Sequence, residues 1–229
     1  MEITPIATFH SPFKEKFGIP RQSNLVEGLM SEVVLLPPYR SAEALRGIEG
    51  FDYLWLIWQF SKHSEAQWTP TVRPPRLGGN SRIGVFASRS PFRPNGLGLS
   101  SVRLREVCWH GNEAPLLRVE GADLLDRTPI FDIKPYLPYT DAHPEARSGW
   151  APSAPEALEV ECPEALLGLL PEGERQPLLN LLAHDPRPAF HHDASRSYAM
   201  LFGDYDVRFV VDEAARRLSV KKIVPLSNS

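Results

Sequence analysis

The chain has 229 residues, 25 Lys and Arg against 28 Asp and Glu, and 42% hydrophobic residues. A net charge of −3 with apolar residues throughout excludes a disordered chain, and the longest apolar run, Tyr53 to Trp58, falls far short of the roughly 18 residues of a membrane helix. Neither a basic n-region nor an apolar h-region opens the chain, and Cys108 and Cys162 form no CxxC or disulfide pattern, so a cytoplasmic protein is expected.

Twenty-three prolines, about twice ordinary usage, are scattered between apolar runs. Proline breaks helices and is excluded from central strands, so short strands joined by ordered loops are expected, not a doubly wound α/β fold. In chain order, residues 2–9 read as a strand with Ile3, Pro5, Ala7 and Phe9 on one face, and residues 10–22 as an ordered loop. A strand at Ser31–Leu36 stops at Pro37-Pro38, and Ser41 caps a short helix through Ile48 that ends at Gly50. Residues 51–60 form a strongly apolar strand, followed by strands at Arg82–Ser88, Leu97–Val107, Leu116–Leu124 and Thr128–Ile133. Residues 141–156, rich in Pro, Ala, Ser and Gly, mark a boundary. Beyond it, leucines between Pro163 and Ala183 read as helix interrupted near Pro171 and Pro177; strands follow at Tyr198–Phe202, Tyr205–Val211 and Leu218–Val224. The expected fold is mainly β: a β-barrel N-terminal domain over 1–143 and a small α+β C-terminal domain over 144–229.

Charge placement carries the clearest chemical signal. Between Glu65 and Glu106 there is no acidic residue, and the cations are all arginine: Arg73, Arg76, Arg82, Arg89, Arg93, Arg103 and Arg105. Arginine suits planar, bidentate contact with phosphate or carboxylate, so an anion-binding groove is expected; a solvated face balanced by carboxylates elsewhere is the alternative. Residues 73–80 and 88–98 combine prolines, which fix φ, with glycines, which permit φ > 0, a composition that fixes backbone groups in place, whether for a ligand or only for tight turns. Asp123, Asp126 and Asp132 lie within ten residues and could bind a ribose or an amine, act as a base, or pair with Arg127 and Lys134. The histidines lack metal-ligand spacing, and in His191-His192-Asp193 adjacent residues of an extended chain point opposite ways, so no metal is expected. There is no Rossmann glycine fingerprint, Walker A sequence or nucleophile elbow, so any nucleotide cofactor needs a different kind of site.

Four segments together resemble one family: Ser11 to Gln22, Thr71 to Asn80, Gly84 to Asn95, and Asp132-Ile-Lys-Pro-Tyr136. They look like the TrmO/TsaA-like family of S-adenosylmethionine-dependent tRNA methyltransferases, and Asp185-Pro-Arg-Pro-Ala189 and Tyr205 to Arg208 resemble the C-terminal domain of its bacterial members. The resemblance implies a β-barrel enzyme that methylates N6 of threonylcarbamoyladenosine (t6A) at position 37 of tRNA. It also implies a homodimer with sites shared between subunits. Carried over residue by residue, the S-adenosyl-L-methionine contacts fall on Pro20, Arg21, Gln22, Ser61, Lys62, Arg89, Leu99, Asp123, Leu124, Leu125 and Asp126. Ser61-Lys62 stands where relatives carry His-Gln, so a backbone contact survives there and a side-chain contact does not. Asp126 or Asp132 is a candidate proton acceptor, Arg93 a candidate partner for the threonyl carboxylate, and Arg73, Arg76, Arg82 and Arg93 candidate RNA contacts. Two other readings compete: an RNA-binding module without catalysis, and an S-adenosylmethionine-binding sensor without transfer.

Overall fold

The computed structural model describes residues 2–61, 68–78, 80–187 and 196–226. Among the described residues eight strands precede residue 136: β1 (Ala7–His10), β2 (Met30–Leu35), β3 (Tyr53–Gln59), β4 (Thr71–Val72), β5 (Ile83–Gly84), β6 (Leu97–Cys108), β7 (Leu116–Glu120) and β8 (Thr128–Pro135). Six of them close a barrel in the order β1-β2-β7-β6-β3-β8, and β4 pairs with β5 in a separate antiparallel ribbon. The period-two pattern of β3 dictates its role: Leu54, Leu56 and Trp58 are buried, while Tyr53, Trp55 and Ile57 are half-buried on the other face. Phe9, Val33, Val102, Leu117, Val119 and Ile130 are also buried in this unit. The Trp58 indole N–H donates to buried Ser100 Oγ at 3.0 Å, so the one polar atom of the ring is satisfied inside the core.

Long-range pairing changes several expectations. The first strand begins at Ala7, where cross-strand partners Leu35 and Ile130 begin; Ile3 is 47% exposed and off the expected buried face. No α-helix forms over residues 41–48; 3-10 turns at Glu43–Leu45 and Ile48–Gly50 replace it, with Gly47 at φ 86 between them. The strand expected at 82–88 shrinks to Ile83–Gly84, because the chain turns at Val85–Ala87. β7 stops at Glu120, because Gly121 takes φ 80 and turns the chain away. A short helix α1 (Pro138–Asp141) docks on the barrel; the Asp141 carboxylate accepts from the Leu137 N–H at 2.9 Å and the Trp55 indole at 2.8 Å.

The second part contains β9 (Glu159–Glu161), α2 (Glu164–Leu167), α3 (Glu172–Ala183), β10 (Tyr198–Phe202), β11 (Tyr205–Asp212) and β12 (Arg217–Pro225). The sheet runs β10-β11-β12-β9, with β9, which the sequence did not reveal, parallel to β12. The protein is thus mainly β, a barrel plus an α+β part. Pro171 begins α3 as expected, but Pro177 does not break it. Its buried ring lies against Gly28, where an added Cβ would come within 3.0 Å of the proline Cγ.

The chain divides into two compact units that are not contiguous in sequence. The barrel unit holds residues 1–10, 32–119 and 127–154; the second holds 11–31, 120–126 and 155–229. Phe13, Val26 and Leu29 join Leu178, Leu182, Met200 and Phe209 in the second unit's core. Gly18, at φ 89, lies so close to Met200 that a Cβ would fall 2.3 Å from its sulfur. Lys14 pairs with Asp204 at 2.7 Å, and the Gly203 N–H donates to Pro12 O at 3.1 Å. Among the described residues no helix is long and apolar enough to cross a membrane.

Candidate functional site

In the barrel unit the arginine-rich segment presents loops. The Val85 N–H donates to Pro70 O at 3.0 Å and the Thr69 N–H to Phe92 O at 3.3 Å, which ties residues 68–72 to both ends of the 85–95 loop. Arg93 clamps that loop from within: its Nη1 donates to Val85 O at 3.2 Å and Ser88 O at 2.7 Å. The guanidinium lies over the Phe86 ring, 5.7 Å from its centroid. Arg73, Arg82 and Arg89 are exposed, and Arg76, also exposed, donates to Ser153 O at 2.6 Å. Ser61 is exposed, and Lys62 lies outside the described residues, as do His191, His192 and Asp193.

Leu99 stands on β6 with 58% of its surface exposed, paired across the strands with Ile57. Gly98, opposite Trp58, gives the indole its place: a Cβ there would meet the ring at 2.3 Å. Asp132 on β8 accepts from the Ile133 N–H at 2.9 Å and pairs with Lys134 at 3.0 Å, both side chains well exposed.

The second unit gathers the other candidates. The Ser11 N–H donates to Asp126 Oδ1 at 3.1 Å, Ser11 Oγ donates to Leu124 O at 3.0 Å, and the Asp126 N–H returns to Phe13 O at 2.8 Å. The Asn24 N–H donates to Gly121 O at 2.7 Å, and the Gly28 N–H to buried Glu120 at 2.6 Å. These bonds stitch the loop carrying Pro20, Arg21 and Gln22 to the segment carrying Asp123, Leu124, Leu125 and Asp126. Leu124 is fully buried, and its carbonyl is occupied by the Ser11 hydroxyl. Pro20 is buried and Arg21 exposed; both line a hollow with Ile19, Leu25, Leu181, His184 and Asp185.

Arg21 donates to Arg187 O at 3.1 Å and Asp185 O at 3.4 Å. Arg187 is not among the candidate residues, although the Asp185-Pro-Arg187 motif held the signal. Only 6% of it is exposed; Nε and Nη2 each donate to Asp185 at 2.9 Å, and Glu213 lies 3.2 Å away. The fork-to-carboxylate bonds with Asp185 hold the guanidinium above its ordinary pKa and permanently charged.

Comparison with known proteins bears on the whole chain. Residues 8–142 match the tRNA-methyltransferase O N-terminal domain, and residues 155–226 match the TrmO C-terminal domain. A tRNA (adenine(37)-N6)-methyltransferase of Escherichia coli K12 is 44% identical over 221 residues, covering 91% of this chain and 92% of its own length. RcsF of Pseudomonas aeruginosa, provisionally named as an S-adenosylmethionine-dependent methyltransferase, is 44% identical over 90% of this chain and 91% of its own. A crystal structure of TrmO from Pseudomonas aeruginosa superposes with a TM-score of 0.78 at 35% identity, covering 98% of each chain. The chain therefore belongs to the tRNA-methyltransferase O family.

Proposed function

We propose that this protein transfers a methyl group from S-adenosyl-L-methionine to N6 of t6A at position 37 of tRNA, giving m6t6A. The observation that carries this reading is the 44% identity to a tRNA (adenine(37)-N6)-methyltransferase over nearly the whole of both chains. The residues present fit the cofactor chemically. Leu99, with its cross-strand neighbour Ile57, offers an apolar surface on the barrel, and Asp123 and Asp126 offer acceptors for hydroxyl and amine donors. The contacts assigned are Pro20, Arg21, Gln22, Ser61, Lys62, Arg89, Leu99 and the segment Asp123 to Asp126. Within this reading residues 1–143 are the methyltransferase domain, residues 144–229 the C-terminal domain, and the active unit is a cytoplasmic homodimer that shares its sites.

The cofactor supplies an activated methyl group, so the chain's own part is chiefly alignment. The acceptor nitrogen belongs to a urea-like group and is a poor nucleophile, so removal of its proton assists. Asp126 suits that task better than Asp132. One Asp126 oxygen is anchored on the Ser11 N–H, whereas Asp132 is paired with Lys134. Arg93 serves the threonyl carboxylate, and Arg73, Arg76 and Arg82 meet the RNA backbone. The modified base leaves the loop stack to be reached.

The deciding experiment incubates the protein with methyl-labelled S-adenosylmethionine and tRNA with and without the threonylcarbamoyl group, followed by nucleoside analysis. Label in m6t6A from the modified tRNA alone is expected. Equal labelling of both tRNAs, or none of either, overturns the reading.

A further inference from the structure

We infer that Phe86 is a stacking platform for an unpaired base of the tRNA anticodon loop. The inference rests on the tRNA-methylation reading and assigns a residue that reading leaves out. Like exposed Trp68 and Phe92 on neighbouring segments, Phe86 presents a large aromatic side chain, with 74% of its surface exposed. Its backbone is held from several sides. The ring sits in the tight turn Val85–Ala87; Arg93 ties Val85 O to Ser88 O across that turn, and the Trp150 indole donates to Ala87 O at 2.9 Å. The Arg93 guanidinium lies over one face of the ring, 5.7 Å from its centroid, while 74% of the residue's surface stays open. An aromatic ring carried on a hydrogen-bonded turn and already in contact with a guanidinium loses less entropy when a base stacks on it than a ring on a free loop.

The surroundings decide what stacks there. The stretch 66–105 contributes no carboxylate, and exposed Arg82 and Arg89 flank the turn in sequence. Trp68, 51% exposed, and Phe92, 39% exposed, belong to the two segments that the Thr69–Phe92 and Val85–Pro70 bonds join to this turn. Aromatic surface interleaved with arginine and free of acid matches single-stranded RNA, whose phosphates take the arginines and whose bases take the rings. A second copy of the same patch would bring like charge against like charge in a symmetric pairing.

The test compares the wild type with Phe86→Ala, Phe86→Leu and Phe86→Trp, all at an exposed position. Measured are the Kd for a synthetic anticodon stem-loop RNA, the Kd for a fully paired RNA duplex, the Kd for S-adenosylmethionine, and mass by light scattering. Phe86→Ala should weaken stem-loop binding by roughly 5- to 150-fold while leaving duplex binding, cofactor binding and mass unchanged. Phe86→Trp should restore stem-loop binding, and Phe86→Leu should not. Unchanged stem-loop binding in Phe86→Ala, full rescue by leucine, or equal losses on stem-loop and duplex would overturn the platform. A change of mass in Phe86→Ala would overturn it too, by assigning the ring to an interface between copies. A wild type that methylates no t6A tRNA, combined with selective loss of stem-loop binding in Phe86→Ala, would sink the methylation reading and support the platform.

Discussion

Replacing Gly98 by alanine should collapse the packing of Trp58, and the cost can be worked from the structure. An added Cβ would stand 2.3 Å from Cε2, 2.5 Å from Cζ2 and 2.7 Å from Cδ2 of the indole. The ring cannot slide aside: it is 6% exposed, its N–H is bound to Ser100, and Phe60 packs edge-on at 4.4 Å. Forcing a carbon into a filled core costs about 1–3 kcal/mol, and ejecting a large aromatic ring costs about 3–5 kcal/mol. A destabilisation of about 3 kcal/mol is therefore expected. For a chain of this size that corresponds to a fall in Tm of about 6–12 °C. The assay is thermal and urea unfolding of four proteins: wild type, Gly98→Ala, Trp58→Leu and the double variant. With the indole gone the alanine meets little, so Gly98→Ala should cost under about 1 kcal/mol in the Trp58→Leu background, a coupling of about 2 kcal/mol or more. Equal costs of Gly98→Ala in both backgrounds would refute the steric account.

Burial raises the Glu174 carboxyl above its ordinary pKa, with repulsion from Asp204 adding, and its Oε2 has no hydrogen-bond partner among the described residues. An acid raised in the folded state costs stability above its folded pKa and none below its unfolded one, so Glu174→Gln should gain about 1–2 °C in Tm at pH 7 and nothing near pH 4. A gain that persists in acid would show that ionisation is not its source. Arg73→Gln with Arg82→Gln should leave Tm unchanged and flatten the salt dependence of tRNA binding by about 1.4 in slope, about 0.7 for each single-strand phosphate no longer neutralised. An unaltered slope would remove both residues from the RNA interface.

The sequence by itself determined what depends on period and composition. The continuous apolar run at 51–60 made β3 a strand, and Arg73, Arg76, Arg82 and Arg89 lie exposed outside the barrel strands as the Pro and Gly around them implied; which face of β3 is buried, Leu54, Leu56 and Trp58, was set by the closing of the barrel. Local rules failed where distant groups decided the outcome. Ser41 does bond to the Glu43 N–H at 3.2 Å, yet only 3-10 turns follow, and Pro177 persists inside a helix because its ring packs against Gly28, 149 positions earlier. The tertiary structure also decided the company that candidate site residues keep. Pro20 to Gln22 and Asp123 to Asp126 come from the stretch 1–143 expected to form the barrel domain, yet they share a compact unit with α3 and the β10–β12 strands, joined by Ser11–Asp126, Asn24–Gly121 and Arg21–Arg187. Periodicity along a chain tells which side of an element seeks a core. Which core it finds depends on contacts among residues far apart in the chain, whose closure is repaid only when the whole set of buried surfaces and hydrogen bonds forms together.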